Sequence, residues 1–201
     1  MKQNSSIKTL EFKDQKILFL DINGVLNSEE YFQQNDAIRF AEYQSCVKDS
    51  RSFRESYCWP FGDLSESLIK KLNIIIESTD CSIVLSSSWR TLCTLPNLRG
   101  WLAQKGFNYP HKLIDFTTTS GSGTRGKEIR KWLNEHQEVM SYAILDDNSS
   151  DITGKRAGDF EHPDNFVETD FAVGLQDAQV SKVIEILNRF EMLSLFQIDF
   201  R

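Results

Sequence analysis

Residues 16–26 read Lys16-Ile17-Leu18-Phe19-Leu20-Asp21-Ile22-Asn23-Gly24-Val25-Leu26. A short apolar run ends in a carboxylate, and the chain then reaches a glycine that permits a sharp turn. A short apolar run bounded by turn signals suits a strand buried on both faces, the usual strand of a parallel sheet. Such a sheet opens at its carboxyl ends into the crevice where ligands bind, so Asp21 sits where chemistry is done. Two later runs repeat the pattern. Ile83-Val84-Leu85 leads into Ser86-Ser87-Ser88-Trp89-Arg90, and Tyr142-Ala143-Ile144-Leu145 leads into Asp146-Asp147. Three strand tips are thus expected to converge on one site.

Outward from these runs, the periodicity alternates between strand and helix. Leu64, Leu68, Leu72 and Ile75, with Ile69 and Ile76, recur at three- and four-residue spacings and predict a helix over 64–78, feeding a strand over 82–85. Pro96 in a first turn and Gly106 past the end frame a helix over 96–105, and a strand over 112–114 follows. The Thr-, Ser- and Gly-rich stretch 117–124 reads as a loop that delivers Arg125 and Lys127 to a helix over 126–135. A strand over 142–145, a polar loop over 151–163, a strand over 166–169 and a helix over 177–190 complete the series. This alternation predicts an α/β fold, a mainly parallel sheet covered on both faces.

Three segments stand outside the alternation. Residues 1–14 are polar and read as a frayed start. Residues 27–61 are aromatic and charged and interrupt the first strand-to-helix step, as an insertion over the first strand tip. Two readings stay open for it: a cap that shapes substrate access, or a packed excursion with its own aromatic core. The tail 192–200 is apolar enough to dock on the domain or on a partner.

The 201 residues fit one domain over 1–201, long enough for a single core. No apolar run reaches the roughly 18 residues that cross a bilayer, and the polar start is no secretory signal, so a cytoplasmic protein without a membrane role is expected. The net charge of −6 argues against strong nonspecific capture of nucleic-acid backbone, although Lys48, Arg51 and Arg54 could form a local track. Cys46, Cys58, Cys81 and Cys93 form no C-x-x-C pair, and His111, His136 and His162 are scattered, so reduced structural thiols are expected in place of a zinc site.

The strand tips gather Asp21, Asp146 and Asp147, the cations Lys127 and Arg125, and the hydroxyl of Ser86. Clustered carboxylates repel one another unless a hard cation neutralises them, and oxygen ligands of this kind suit Mg²⁺. Magnesium in turn suggests phosphate. A carboxylate aligned with a phosphoryl group can act as a nucleophile through an aspartyl-phosphate, while Lys127 and Ser86 balance the phosphoryl oxygens.

Taken together, Asp21-Ile22-Asn23-Gly24-Val25-Leu26, Ser86, Lys127 and Asp146-Asp147 resemble the four motifs of the haloacid dehalogenase-like (HAD) superfamily. The segments 86–90, 125–133 and 144–151 and the closing Thr169-Asp170 and Gly174-Leu175 are similar to the branch found as a domain of Swiss-army-knife-type RNA repair proteins. The likeness runs from about residue 16 to 188 and is thinnest over 27–61. It implies a Rossmannoid three-layer α/β/α sandwich with a small cap-like insertion. It also implies a Mg²⁺-dependent phosphohydrolase acting on a phosphomonoester, carried by a phosphorylated small molecule, a nucleotide or a nucleic-acid end.

Residue by residue, the resemblance makes Asp21 the nucleophile and a metal ligand, Ser86 a phosphate donor, and Lys127 the phosphate clamp, with Arg125 as its alternative. Asp146 would be a metal ligand, and Asp147 would support the metal directly or through water. Ser87, Arg90 and Gly24 fall in the substrate-binding set, and Trp89 in the core. Asn23 departs from the pattern: hydrolases of the superfamily carry there a second aspartate, the general acid and base. An amide offers its backbone carbonyl to the metal equally well but cannot trade protons. The alternative reading is therefore a catalytically impaired module that binds a phosphate or a phosphorylated partner.

Overall fold

Four consecutive apolar residues without exposed surface, Ile17 to Leu20, explain why β1 (Gln15–Leu20) takes the middle of the sheet. The computed structural model describes residues 15–49, 63–119, 124–153 and 163–196. On one side β1 pairs in parallel with β2 (Ser82–Leu85), and beyond it lies β3 (Leu113–Phe116). On the other side lie β4 (Val139–Asp146) and β5 (Phe166–Glu168), giving the order β3-β2-β1-β4-β5, all parallel. The expected α/β architecture is the one observed.

Alternation along the strands divides the core in two. Leu18, Leu20, Ile83, Leu85, Ala143 and Leu145 face α2 (Glu66–Thr79), α3 (Leu95–Gln104) and α6 (Asp177–Phe196). Ile17, Phe19, Val84 and Ile144 face α4 (Arg125–Glu135) and the single turn α5 (Ser149–Ile152). Across that second layer the rings of Phe19 and Trp132 meet edge to face at 5.4 Å. Burial pushes the thiols of Cys81 and Cys93 up to about 11, which keeps both protonated near neutral pH.

Boundaries differ from the sequence reading in explicable ways. Leu64 is fully buried but precedes its helix: Ser65 takes the N-cap position, so α2 opens at Glu66. The third strand runs to Phe116, two residues past its expected end. The last helix runs to Phe196 and takes up the first part of the apolar tail. Within the stretch 27–61 stands α1 (Glu29–Asp49), tied to the domain at its start. Glu29 and Glu30 donate backbone N–H bonds to Phe171 and Ala172, and the Tyr31 hydroxyl donates to the Leu64 carbonyl. Residues 1–14, 50–62, 120–123, 154–162 and 197–201 lie outside the described residues, and with them the expected frayed start and parts of the insertion, loops and tail. Among the described residues no helix is long and apolar enough to cross a membrane.

What the sheet does for function is set by its order. The chain leaves β1 towards β2 and β3, then returns to lay β4 on the opposite side of β1. The crevice beyond β1 and β4 is therefore the switch point of the sheet, where α/β folds bind ligands. One loop that frames it depends on Gly174, at φ +71, whose N–H donates to Asp170 while Leu175 N–H donates to the carbonyl of Val25. A Cβ on Gly174 would stand 2.6 Å from Leu68 Cδ1 and 3.1 Å from the Asn27 carbonyl. Gly174→Ala is expected to cost about 1–3 kcal/mol from the strained backbone alone. Urea unfolding should show a lower midpoint with an unchanged slope.

Candidate functional site

The hydrogen-bond ladders continue one residue past the strand ends. Thr117 N–H donates to Leu85, Ser86 N–H to Leu20, Asp21 N–H to Leu145 and Thr169 N–H to Asp146. Thr117, Ser86, Asp21, Asp146 and Thr169 thus form a row of nearly buried hydroxyls and carboxylates across the carboxyl end of the sheet. The first two carboxylates are neighbours because Leu20 pairs with Leu145 in register.

After Asp21 the chain turns on fully buried Ile22, Val25 and Leu26, with Val25 and Leu26 N–H both donating to the Ile22 carbonyl. Gly24 holds the turn at φ +68, and its missing side chain admits Asp147: a Cβ there would lie 2.6 Å from Asp147 Cγ. Oxygens of Asp21, Asp146 and Asp147 all lie within 4.8 Å of one another. Asp146 is 1% exposed, with Oδ1 accepting from Asn148 N–H at 2.9 Å.

The countercharge comes from α4. Arg125, its first residue, places Nη1 between Asp21 Oδ2, at 3.0 Å, and Asp146 Oδ2. Lys127 stands two residues on, about 200° around the helix, and is exposed. Of the two expected cations the structure brings Arg125 to the carboxylates. Arg90 is held inside the protein: Nη1 donates to Thr117 Oγ1 at 3.0 Å and Nη2 to Glu128 Oε2. It ties the loop after β2 to the face of α4 that also carries Arg125. Ser87 Oγ is occupied as well, accepting from Trp89 N–H at the start of a short 3-10 turn.

Asn23 is held from two sides. Trp89 Nε1 donates to its Oδ1 at 3.1 Å and Asn27 Nδ2 at 3.2 Å, while Asn27 Oδ1 accepts from Gly24 N–H at 2.9 Å. Glu128, Thr117 and Asn27 were not singled out from sequence. Only Asn27 had a local signal, an amide four residues past Asn23 in the same turn.

The electrostatics follow from burial. Burial first, and the charge of Asp21 second, push Asp146 up to about 7 against the pull of Arg125. The same two causes raise Asp147. Burial works against the Arg125 charge, but Asp21 and Asp146 outweigh it and raise its pKa. Asp21 Oδ1 and Ser86 Oγ are buried with no hydrogen-bond partner among the described residues, as are Thr169 Oγ1 in the same row, Thr124 Oγ1 before α4 and Arg90 Nε. Three carboxylates gathered this closely are what a hard cation takes, and an open hydroxyl suits an anionic oxygen, so the residues present fit Mg²⁺ held by Asp21, Asp146 and Asp147 beside a phosphoryl group at Ser86. A separate cavity of about 560 Å³ lies against α1 and the start of α2, lined by Tyr31, Asn35, Ser65, Lys71, Lys105 and Gln176. None of the strand-tip carboxylates lines it.

The model of one protein family, described as the HAD domain in Swiss Army Knife RNA repair proteins, matches residues 17–180. The match takes in β1 from Ile17 onward, all of β2 to β5 and every residue of the strand-tip row, and the chain belongs to this family. No curated protein and no solved structure matches the chain significantly.

Two outcomes are expected. Asp146 has a folded pKa of about 7, above the roughly 3.9 of an unfolded aspartate. Its contribution to stability is therefore present at low pH and is lost as pH rises through about 7. A metal must displace that proton, so calorimetric Mg²⁺ affinity should rise between pH 6 and pH 8 and release protons on binding. Arg125→Ala leaves two buried carboxylates without their countercharge. It should cost about 3 kcal/mol in the metal-free protein, more at pH 8 than at pH 6, and excess Mg²⁺ should restore part of the melting temperature.

Proposed function

We propose that this HAD domain is a Mg²⁺-dependent phosphohydrolase that takes the phosphoryl group of a phosphomonoester, on a nucleotide or a nucleic-acid end, through an aspartyl-phosphate on Asp21. The observation that carries the reading is that Asp21 Oδ1 and Ser86 Oγ, on adjacent strand tips, are both buried and without a partner among the described residues. A carboxylate oxygen with no donor on it is free to attack phosphorus. A hydroxyl beside it can donate to a phosphoryl oxygen. Membership of the HAD family supports phosphohydrolase chemistry, and the three carboxylates support a divalent cation.

In this reading Asp21 Oδ1 forms the bond to phosphorus, and the bond to the leaving oxygen breaks. Arg125, fixed at Asp21 Oδ2, keeps the nucleophile oriented and lends positive charge as the phosphoryl oxygens gain negative charge. Ser86 holds one of those oxygens. Bound by Asp21, Asp146, Asp147 and the Asn23 carbonyl, Mg²⁺ would supply further charge to the same oxygens. Water then hydrolyses the aspartyl-phosphate and frees Asp21. The exposed Lys127 has no part in this scheme unless substrate reaches across the start of α4.

Asn23 is the observation that favours a second reading, a module that binds phosphate without turnover. A panel of phosphorylated nucleotides, sugars and 3′- or 5′-phosphorylated oligonucleotides, with p-nitrophenyl phosphate as a small control, separates the two. Asp21→Asn should abolish Mg²⁺-dependent phosphate release from any active member while leaving circular dichroism and the cooperative melt intact. Retained turnover in that variant would exclude the aspartyl-phosphate. Phosphate binding without turnover on any compound would establish the binding module.

A further inference from the structure

The orientation of the Asn23 amide is settled by its neighbours. Gly24 N–H can only donate, so it fixes Asn27 Oδ1 towards itself and turns Asn27 Nδ2 towards Asn23. Trp89 Nε1 is a donor only, and it also meets Asn23 at Oδ1. The Asn23 oxygen is therefore committed to two N–H groups. Its NH₂ arm is left over, with no hydrogen-bond partner among the described residues. Two residues past Asp21, the group that this turn presents can donate a hydrogen bond but has no proton to give up near neutral pH.

We propose that this amide selects the leaving group: the chain takes phosphoryl groups from donors whose leaving oxygen departs as a weak base, and disfavours alkyl esters. The proposal rests on the reading of Asp21 as nucleophile. As Asp21 Oδ1 bonds to phosphorus, the electron pair of the breaking P–O bond stays on the leaving oxygen. No side chain at position 23 sends a proton after it. An alkoxide is about as strong a base as hydroxide and needs that proton. A phosphate leaving group, with a second pKa of about 6, leaves unaided, and the Asn23 NH₂ can donate to its departing oxygen. At a nucleotide or a nucleic-acid end this narrows the substrate to the anhydride-linked terminal phosphate of a di- or triphosphate, in place of the ester-linked one. In the second step water attacks phosphorus, Asp21 leaves as carboxylate, and the water's proton passes to solvent.

The surroundings make the test clean. Trp89 Nε1 and Asn27 Nδ2 suit a carboxylate oxygen as well as an amide oxygen, so Asn23→Asp keeps both hydrogen bonds. The full-length chain, confirmed by intact mass to hold asparagine at position 23, is assayed with Mg²⁺ on two matched pairs. Acetyl phosphate and ethyl phosphate are the small donors; ADP and AMP share one nucleoside. Because kcat/KM reports formation of the phosphoenzyme alone, breakdown of that species does not enter. The acyl and anhydride donors should exceed their alkyl partners by at least about 10²-fold, and Asn23→Asp should raise the alkyl donors by about 10²- to 10⁴-fold and the others less than tenfold. Alkyl donors as fast as their partners in the Asn23 chain, or equal gains for all four in Asn23→Asp, would overturn the leaving-group proposal and leave Asp21 as the nucleophile. Absence of any phosphorylated chain by mass after acetyl phosphate, with turnover unchanged in Asp21→Asn, would instead reject Asp21 itself and this proposal with it.

Discussion

Two acidic side chains are buried side by side because parallel pairing of β1 and β4 sets Leu20 opposite Leu145, so that the next residues on each strand meet. Such a pair is costly: neighbouring carboxylates out of water cannot both stay charged without a cation. The arrangement around them supplies or supports that cation. Arg125 opens α4 at the point that reaches both, Gly24 gives up a side chain to admit a third carboxylate, and the buried Arg90–Glu128 pair fixes the face of α4 on which Arg125 stands. The switch in strand order is what lets a loop turn and a helix start approach the same two residues from different sides. A site that gathers three carboxylates about one guanidinium, beside buried hydroxyls with no partner among the described residues, is organised for ligands that bring charge of both signs.

Much of this was legible in the residues, because buried parallel strands show as apolar runs and their polar successors then fall in line. Asp21, Ser86 and Asp146 were found this way. Thr117 was not, since the third strand was ended two residues early, and the hydroxyl at its true tip was read as loop. The alternatives Arg125 and Lys127 stayed open because both stand at the start of one helix behind a glycine-rich loop. The phase that separates them was nonetheless present: Glu128, Ile129 and Trp132 make the buried stripe of α4, and Arg125 continues it at three-residue spacing while Lys127 does not. The partnership of Arg90 with Glu128 joins residues 38 apart and no local pattern announces it. α1 escaped notice for the opposite reason. Its apolar residues are spread around the helix, with Ile38 and Phe40 left exposed, so no stripe marks it.

The distribution of polar contacts also separates what holds the fold from what awaits a ligand. Ser87, Trp89 and Asn27, and the two terminal nitrogens of Arg90, are engaged by protein, and they brace the strand tips. Asp21 Oδ1, Ser86 Oγ and Thr169 Oγ1 have no partner among the described residues. Loss of a bracing group would be felt in stability and geometry together, because α4, the loop after β2 and the turn after β1 share these bonds. Loss of such an oxygen would be felt mainly in binding, since no group among the described residues is bonded to it.

The Asn23-Gly24 step also bears on how the molecule ages. Asparagine followed by glycine is the pair most prone to convert to aspartate, by attack of the glycine nitrogen on the side-chain carbonyl carbon through a cyclic imide. Here the geometry of that attack is withheld: Gly24 N–H is bonded to Asn27, and Trp89 and Asn27 fix the orientation of the Asn23 side chain. The folded chain thus protects asparagine at its most consequential position, and only molecules that open the turn after β1 are free to change. Aspartate at position 23 would accumulate with time spent unfolded, so the covalent state of one residue would serve as a record of the protein's conformational history.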